Sequence, residues 1–315
     1  MSRNLEKPSP VQFVTAGPAD ENRRLDNYLM ARLKGLPRTR IYQMLRRGEV
    51  RVNKGRVKQN YRLQQGDIIR IPPVSLEAPT ERGKPPGYLL EMVKKATLHE
   101  DQDLLVLNKP SGLVVHGGSG RTFGVIELLR YLRPDAQDLQ LVHRLDQDTS
   151  GCLLLCKSAT RLKILQDEFR EGRVIKKYLA LLSGSMGKKK VDVSAPLKKN
   201  VLSSGERIVR VDESGKSAMS TFTRRRNFNS SCLAEVLIAT GRTHQIRVHA
   251  KHIGHPVAGD EKYGDENFNA GLRKRGLKRL FLHASELTLM PGNNEELLIK
   301  APLPVDLEDF LKKHE

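Results

Sequence analysis

Tryptophan is absent from the 315 residues, and all aromatics together make up 5%. Stacking on nucleobases or apolar ligands must therefore rely on a few Tyr and Phe rings and on arginine planes. Three cysteines, Cys152, Cys156 and Cys232, are too few and too apolar in setting for a disulfide framework. They read as small core hydrophobes. No apolar run approaches the roughly 20 residues that cross a bilayer, and nothing after Met1 has the apolar stretch of a secretory leader. The expectation is a cytoplasmic protein with no membrane association. Acidic residues are scarce: 36 Asp and Glu face 55 Lys and Arg, a net charge of +19. That excess favours a polyanionic partner, with nucleic acid ahead of an acidic membrane surface.

Much of the excess lies early in the chain. Residues 1–20 carry Pro8, Pro10, Gly17 and Pro18 around one apolar patch at 11–14, and read as an arm or edge strand. Residues 22–72 then hold 14 Lys and Arg against three Asp and Glu, more than half of the whole excess. Leu25, Leu29 and Leu33 recur at helical spacing, with Gly35 placed to stop that helix. A second helix should begin near Thr39, with Ile41 and Leu45 inward, Gly48 as its C-cap and Arg40 and Arg47 on one face. Residues 50–57 alternate around Asn53-Lys54-Gly55 as a hairpin would, and a last strand follows at 68–71. Segment 21–72 resembles the small helix-helix-hairpin RNA-binding module (the αL motif) of a small-subunit ribosomal protein and of tyrosyl-tRNA synthetase. The resemblance makes Arg38, Arg40, Arg46, Arg47, Arg51 and Lys54 candidate RNA contacts. The plain alternative is a solvated basic face. Residues 73–95 are rich in Pro and charge, an interdomain linker with a short helical piece near its end.

The large domain should span 96–315, and its centre is Leu141-Val142-His143-Arg144-Leu145-Asp146-Gln147-Asp148-Thr149-Ser150-Gly151. An apolar pair leads in and an apolar run, 152–156, leads out, so an ionisable cluster sits between two buried strands. A carboxylate there needs a hydrogen-bonded or cationic partner, because burying it alone is very costly. A structural ion pair is the ordinary explanation of such a group. Around it, 104–107, 174–182, 233–239 and 280–289 read as strands. Ser158 and Gly172 bound one helix, Thr243 and Gly254 another, and 307–311 is a short last helix. Residues 184–215 are basic and turn-rich, and 265–279 is a basic insert or a solvated helix face. The glycine-rich stretch 117–120 lacks the Gly-Lys-Ser/Thr ending of a P-loop and reads as a turn close to the substrate strand. His244, His249, His252 and His255 invite a metal reading, and His249 and His252 have ligand spacing, but His244 is five residues away and no carboxylate lies among them.

The whole string 141–151 resembles the active-site motif His-Arg-Leu-Asp-x-x-Thr-Ser-Gly of the large-subunit, RluA-type pseudouridine synthases, which turn uridine in RNA into its carbon-linked isomer. A second long string, Thr240-Gly241-Arg242-Thr243-His244-Gln245-Ile246-Arg247-Val248-His249, agrees with that family, and 195–200 and 205–210 match one member of it closely. The resemblance implies an α+β fold: a mixed, mainly antiparallel central sheet with flanking helices, plus the small N-terminal αL-type module. It makes Asp146 the catalytic carboxylate, Arg247 its ion-pair partner and Tyr178 the ring that stacks on the target base. Arg144 would insert where the base was, and Leu282 would floor the pocket. His143 and Lys109 join them as substrate-binding candidates, Lys109 with Pro110 as the first family motif, which helps hold the active site. The reaction imports no group and oxidises nothing, so neither cofactor nor metal is expected. The implied partner is 23S ribosomal RNA, and the protein is expected to act as a monomer. A sibling synthase with other ribosomal or transfer RNA targets is the nearest alternative, and a non-catalytic RNA-binding assembly factor is the other.

Overall fold

The computed structural model describes residues 10–33, 35–74, 83–117, 123–136, 138–201, 207–289 and 296–314. The chain divides into two compact units, Met1–Lys84 and Pro85–Glu315.

In the first unit, helices α1 (Leu25–Arg32) and α2 (Arg38–Arg47) accompany an antiparallel sheet of β1 (Gln12–Thr15), β2 (Arg51–Val52) and β3 (Ile68–Ile71), ordered β1-β3-β2. Leu25, Leu29, Ile41, Met44, Ile69 and Ile71 are buried together, the periodic apolar positions that the sequence marks. Three local expectations change. Residues 12–15 are an edge strand paired with β3 from Gln12↔Ile71 to Thr15↔Ile68, so this part of the expected arm belongs to the module. The expected hairpin is a two-residue turn, Asn53-Lys54, with φ of 49° and 68° at its centre. The strand before it, β2, pairs with β3 rather than with a strand at 55–57, where only the bridge Val52↔Gly55 forms. The third change lies at the far end of the linker, where α3 (Gly87–Lys94) buries Val93 in the core of the large unit. Most of the linker's Pro-rich middle, 75–82, lies outside the described residues.

The second unit is built on β4 (Thr97–Glu100), β5 (Leu104–Lys109), β6 (Gln140–Leu141), β7 (Ser150–Cys156), β8 (Ile175–Ser183) and β9 (Lys190–Ser194). It continues with β10 (Leu197–Val201), β11 (Arg207–Val211), β12 (Met219–Asn227), β13 (Ser231–Ile238), β14 (Leu282–Leu289) and β15 (Leu297–Lys300). The main sheet runs β4-β5-β7-β14-β8-β13-β12-β9, with β6 on β7 and β15 on β14, while β10 and β11 form a separate ribbon. Its pairs are antiparallel except β7 with β14, where His283↔Ser150 and Ala284↔Gly151 align in parallel. Residues 184–215, expected as turns, thus hold three strands; 202–206 lie outside the described residues.

Helices cover both faces of the sheet. On one, α4 (Val125–Leu132) and α6 (Gln245–His252) bury Val125, Leu129, Ile246 and Ala250 against Tyr178, Ala180, Val236, Leu282 and Ala284. Strand alternation puts those residues of β8, β13 and β14 on one side. On the other lie α5 (Ala159–Arg170), with Leu165 packed on Val106 and Leu154, and α7 (Glu266–Lys274) and α8 (Val305–Lys313), with Leu272, Leu307 and Phe310 packed on Leu181 and Phe281. The expected insert at 265–279 is therefore α7, capped by Asp265 and anchored by Leu272 and Asn269.

Candidate active site

The motif forms the loop between β6 and β7, at the central parallel step of the sheet. There β7 approaches β14 so closely that a Cβ at Gly151 would stand 2.2 Å from the Ala284 carbonyl oxygen, and its φ of 111° also disfavours any side chain. The loop is laced to the segment after β5. Gly112 donates its amide to the Gln147 carbonyl at 2.9 Å, and the Ser111 hydroxyl donates to the Asp148 carbonyl at 2.7 Å.

Lys109 completes that lacing and thereby leaves the cleft. Its Nζ donates to the carbonyls of Pro110 (2.8 Å), Leu113 (2.8 Å) and Gln147 (2.9 Å), with no exposed surface. Burial pulls the ammonium down to about 7, while three carbonyl acceptors favour its charged form. His143, expected at the substrate, stands outside the lining of the cleft and recess. Its Nε2 accepts the Leu154 amide at 3.0 Å and its ring stacks on Phe169 at 4.8 Å. Burial pushes it down to about 4, so it is a neutral strut behind the loop and not a substrate ligand.

Arg144, Asp146, Tyr178, Arg247 and Leu282 do come together, around one recess with Ile238 and Ile246. Asp146 is 26% exposed, and Arg247 Nη1 lies 3.5 Å from its Oδ2. His244 Nε2 is 3.9 Å from the same oxygen. No described residue donates to Oδ1, which leaves one carboxylate oxygen for a substrate. Tyr178 is buried beside it, and its hydroxyl makes no hydrogen bond to any described residue. Burial, reinforced by the Asp146 charge, holds that phenol well above the ordinary tyrosine range, so the ring is neutral. Leu282 is buried on the same side, while Arg144 is exposed at the rim with no partner among the described residues.

The ion pair of Arg247 with Asp146 forms through one nitrogen only. The guanidinium is forked on Asp260 instead, Nε to Oδ2 at 2.7 Å and Nη2 to Oδ1 at 2.8 Å, and only Nη1 turns to Asp146. Asp260 has no exposed side-chain surface, and its Oδ1 also accepts the amides of Lys262 (2.9 Å) and Tyr263 (3.0 Å). Burial opposes its charge, but Arg247 and these two amides outweigh burial and hold the carboxyl below its usual range. Sequence reading passed over Asp260. The available signal was a Gly-Asp turn 13 residues beyond Arg247, in which a Cβ on Gly259 would stand 2.1 Å from the Arg279 carbonyl oxygen.

The start of α6 also differs from expectation. The residue before the helix is His244, in the left-handed region at φ 53°, and Thr243 does not cap. The Gln245 side chain does the local work: its Oε1 accepts from the Arg242 amide and the Thr240 hydroxyl, and its Nε2 donates to the Met219 carbonyl. Of the four histidines with possible ligand character, three are engaged separately, His249 with Ser220 and the Ala195 carbonyl, His255 with the Ser183 carbonyl and His244 with Tyr263, while His252 is exposed. Among the described residues no three His, Cys, Asp or Glu side chains converge as a metal would need.

The recess opens into a cleft of ≈ 850 Å³ that Lys262, Lys278, Arg279 and Arg144 share with Asp148 and Glu261. Ligand sites are typically about 300–1,000 Å³, so the cleft is large enough for a nucleotide with its neighbours. No described helix is long and apolar enough to cross a membrane. In the small unit, Arg46, Arg47, Arg51 and Lys54 are exposed, Arg38 reaches Met30, and Arg40 is paired with Glu49 at 2.9 Å. A groove there brings Arg46 together with Arg24, Arg56 and Lys58.

Residues 103–252 match the model of the RNA pseudouridylate synthase family, and residues 23–69 match the S4 domain. The chain is 50% identical to ribosomal large subunit pseudouridine synthase C of Pasteurella multocida, over 96% of this chain and 93% of that one. The protein of the same name from Escherichia coli is 47% identical over 98% of each. Among solved structures, human RNA pseudouridylate synthase domain containing 4 superposes with a TM-score of 0.60 at 28% identity, covering 72% of this chain and 95% of its own. With half its residues shared with such a relative over nearly the whole length, and the aspartate loop, arginine helix and tyrosine strand meeting at one recess, the chain belongs to the RNA pseudouridylate synthase family.

Proposed function

We propose that the protein isomerises specific uridines of large-subunit (23S) ribosomal RNA to pseudouridine, acting as a monomer in the cytoplasm. The observation that carries the reading is the setting of Asp146: one oxygen is faced by Arg247, the other has no donor among the described residues, and the carboxylate lines a recess with Tyr178 and Leu282. The reaction breaks the bond between ribose and uracil nitrogen, turns the base over, joins carbon 5 to the ribose and removes the proton there. Asp146 acts on the ribose, as nucleophile or as base. Arg247 pairs with it and orients it. Tyr178 and Leu282 hold the freed base between ring and aliphatic surface. A uridine inside folded RNA has to be flipped out, at about a few kcal/mol. The exposed guanidinium of Arg144 at the rim is suited to fill the vacated stack. No atom is added and no electron is transferred, so this chemistry calls for neither metal nor nucleotide cofactor. In the small unit, Arg46, Arg47, Arg51 and Lys54, with Arg38 and Arg40 beside them, grip RNA phosphates.

The test is Asp146→Asn, assayed by tritium release from uridine labelled at carbon 5 and by carbodiimide mapping of the RNA product. Loss of both signals in a stably folded variant is the expected result. Tritium release at an appreciable rate would overturn the assignment.

A further inference from the structure

His244 has no role in the reading above, yet it faces Asp146 from a backbone conformation that few side chains adopt. Its Nδ1 lies 2.7 Å from the Tyr263 hydroxyl, and that oxygen already accepts the Val209 amide at 2.9 Å. A phenol carries one proton. With an amide occupying one lone pair, and no other acceptor for that proton among the described residues, the O–H is directed to Nδ1. The imidazole then carries its own hydrogen on Nε2, the atom 3.9 Å from Asp146 Oδ2. We propose that His244 is a positioning residue for the reaction, held by Tyr263 in the tautomer that turns an Nε2–H toward Asp146.

Burial keeps the ring neutral against the opposing pull of Asp146, and the Arg247 charge works in the same direction as burial. The arrangement is shared with the arginine. Tyr263 and Asp260 stand in one turn, the Tyr263 amide donates to Asp260, and the Arg247 guanidinium lies over the Tyr263 ring at 5.1 Å. One turn therefore orients both groups that face Asp146 Oδ2, Arg247 through Asp260 and His244 through Tyr263. Placing both on the same oxygen keeps Oδ1 clear for the ribose.

The inference rests on Asp146 being the catalytic carboxylate, and the substitutions separate the two claims. A glutamine at 244 extends an amide N–H about as far as Nε2, whereas an asparagine reaches only the Nδ1 position and can serve Tyr263 alone. Single-turnover tritium release is measured on the full chain for His244→Gln, His244→Asn, His244→Ala and Tyr263→Phe, with folding checked by thermal unfolding. A positioning role predicts that Gln stays within about fivefold of the wild-type kcat while Asn and Ala fall about 10–100-fold, with KM for RNA nearly unchanged. Tyr263→Phe, which frees the tautomer, should fall between them. A role limited to supporting Tyr263 predicts the reverse order, so equal or better recovery with Asn overturns the proposal, as does wild-type kcat in His244→Ala. Should the Ala variant fail to fold, the Gln and Asn pair still decides. Asp146→Asn run alongside reports on the carboxylate itself: activity there would sink the Asp146 reading whatever the His244 series shows.

Discussion

The two units use arginine in opposite ways. In the small unit Arg46 and Arg47 are exposed on α2, and Lys54 is exposed at the tip of the adjoining turn. In the large unit Arg247 is buried, with Asp260 holding one side of its fork and Asp146 facing the other. A hydrated cation binds phosphate by releasing counterions, so it supplies affinity that salt can erode. A buried, forked guanidinium has no freedom left, and it supplies orientation that salt barely touches. Under the proposed function, binding falls to one unit and chemistry to the other.

The largest effect that would break this division is at Asp146. Asp146→Asn should abolish isomerisation while leaving the unfolding midpoint and RNA affinity near wild type, because the carboxylate is partly exposed and its loss leaves Arg247 still paired with Asp260. A large drop in stability would instead make Asp146 structural.

Next comes the partner behind the arginine. Asp260→Asn leaves a buried guanidinium with only the longer contact to the partly exposed Asp146, and should lower stability by on the order of 3 kcal/mol. Activity should fall further than the folded fraction, with kcat affected more than KM. Chemical denaturation and single-turnover rates on the same preparation check this. An Asn variant as active as wild type would show that Arg247 finds its place unaided.

On the binding side, replacing Arg46, Arg47 and Lys54 together with Ala should reduce RNA affinity about tenfold or more at low salt. It should flatten the salt dependence by about 0.7–0.9 per lost phosphate contact. The single-turnover rate at saturating RNA should hold. Unchanged affinity and slope would mean the basic face is only solvated.

The smallest effect concerns acid stability, and it also separates the units, since all nine histidines lie from His99 onward. Burial holds His283 down to about 4, against the opposing pull of the Ala301 carbonyl that accepts from its Nε2, and its Nδ1 accepts from Ser150. The unfolded chain takes up this proton near 6.5 and the folded chain does not, so stability is lost as pH falls from about 6.5 toward 4. The loss is on the order of 2–3 kcal/mol for this residue. His283→Gln should flatten that slope for the large unit and leave the small unit unaffected, as read by calorimetry across the window.

Much of this was open to reading without coordinates, for reasons that are local. Leu25, Leu29 and Leu33 announce a helix by spacing alone, Gly48 and Ser158 mark helix ends by backbone and hydroxyl chemistry, and the eleven residues around Asp146 carry their chemistry in one string. The sequence by itself thus determined the two-unit plan and the basic module, because each depends on neighbours within a few positions, while Tyr178, Arg247 and Leu282 were legible only through the resemblance of long strings to a known family. Which cation each carboxylate meets is a different kind of fact. Arg247 is 101 positions from Asp146 and 13 from Asp260, and nothing local says that the fork goes to the nearer one. Lys109 and His143 sit in or beside the same motifs as the residues of the recess, yet one is consumed by three carbonyls and the other by the Leu154 amide and the Phe169 ring. Tertiary structure decided those outcomes, because a buried polar group takes whichever partners the packed chain brings within hydrogen-bond reach, and that depends on contacts far apart in sequence.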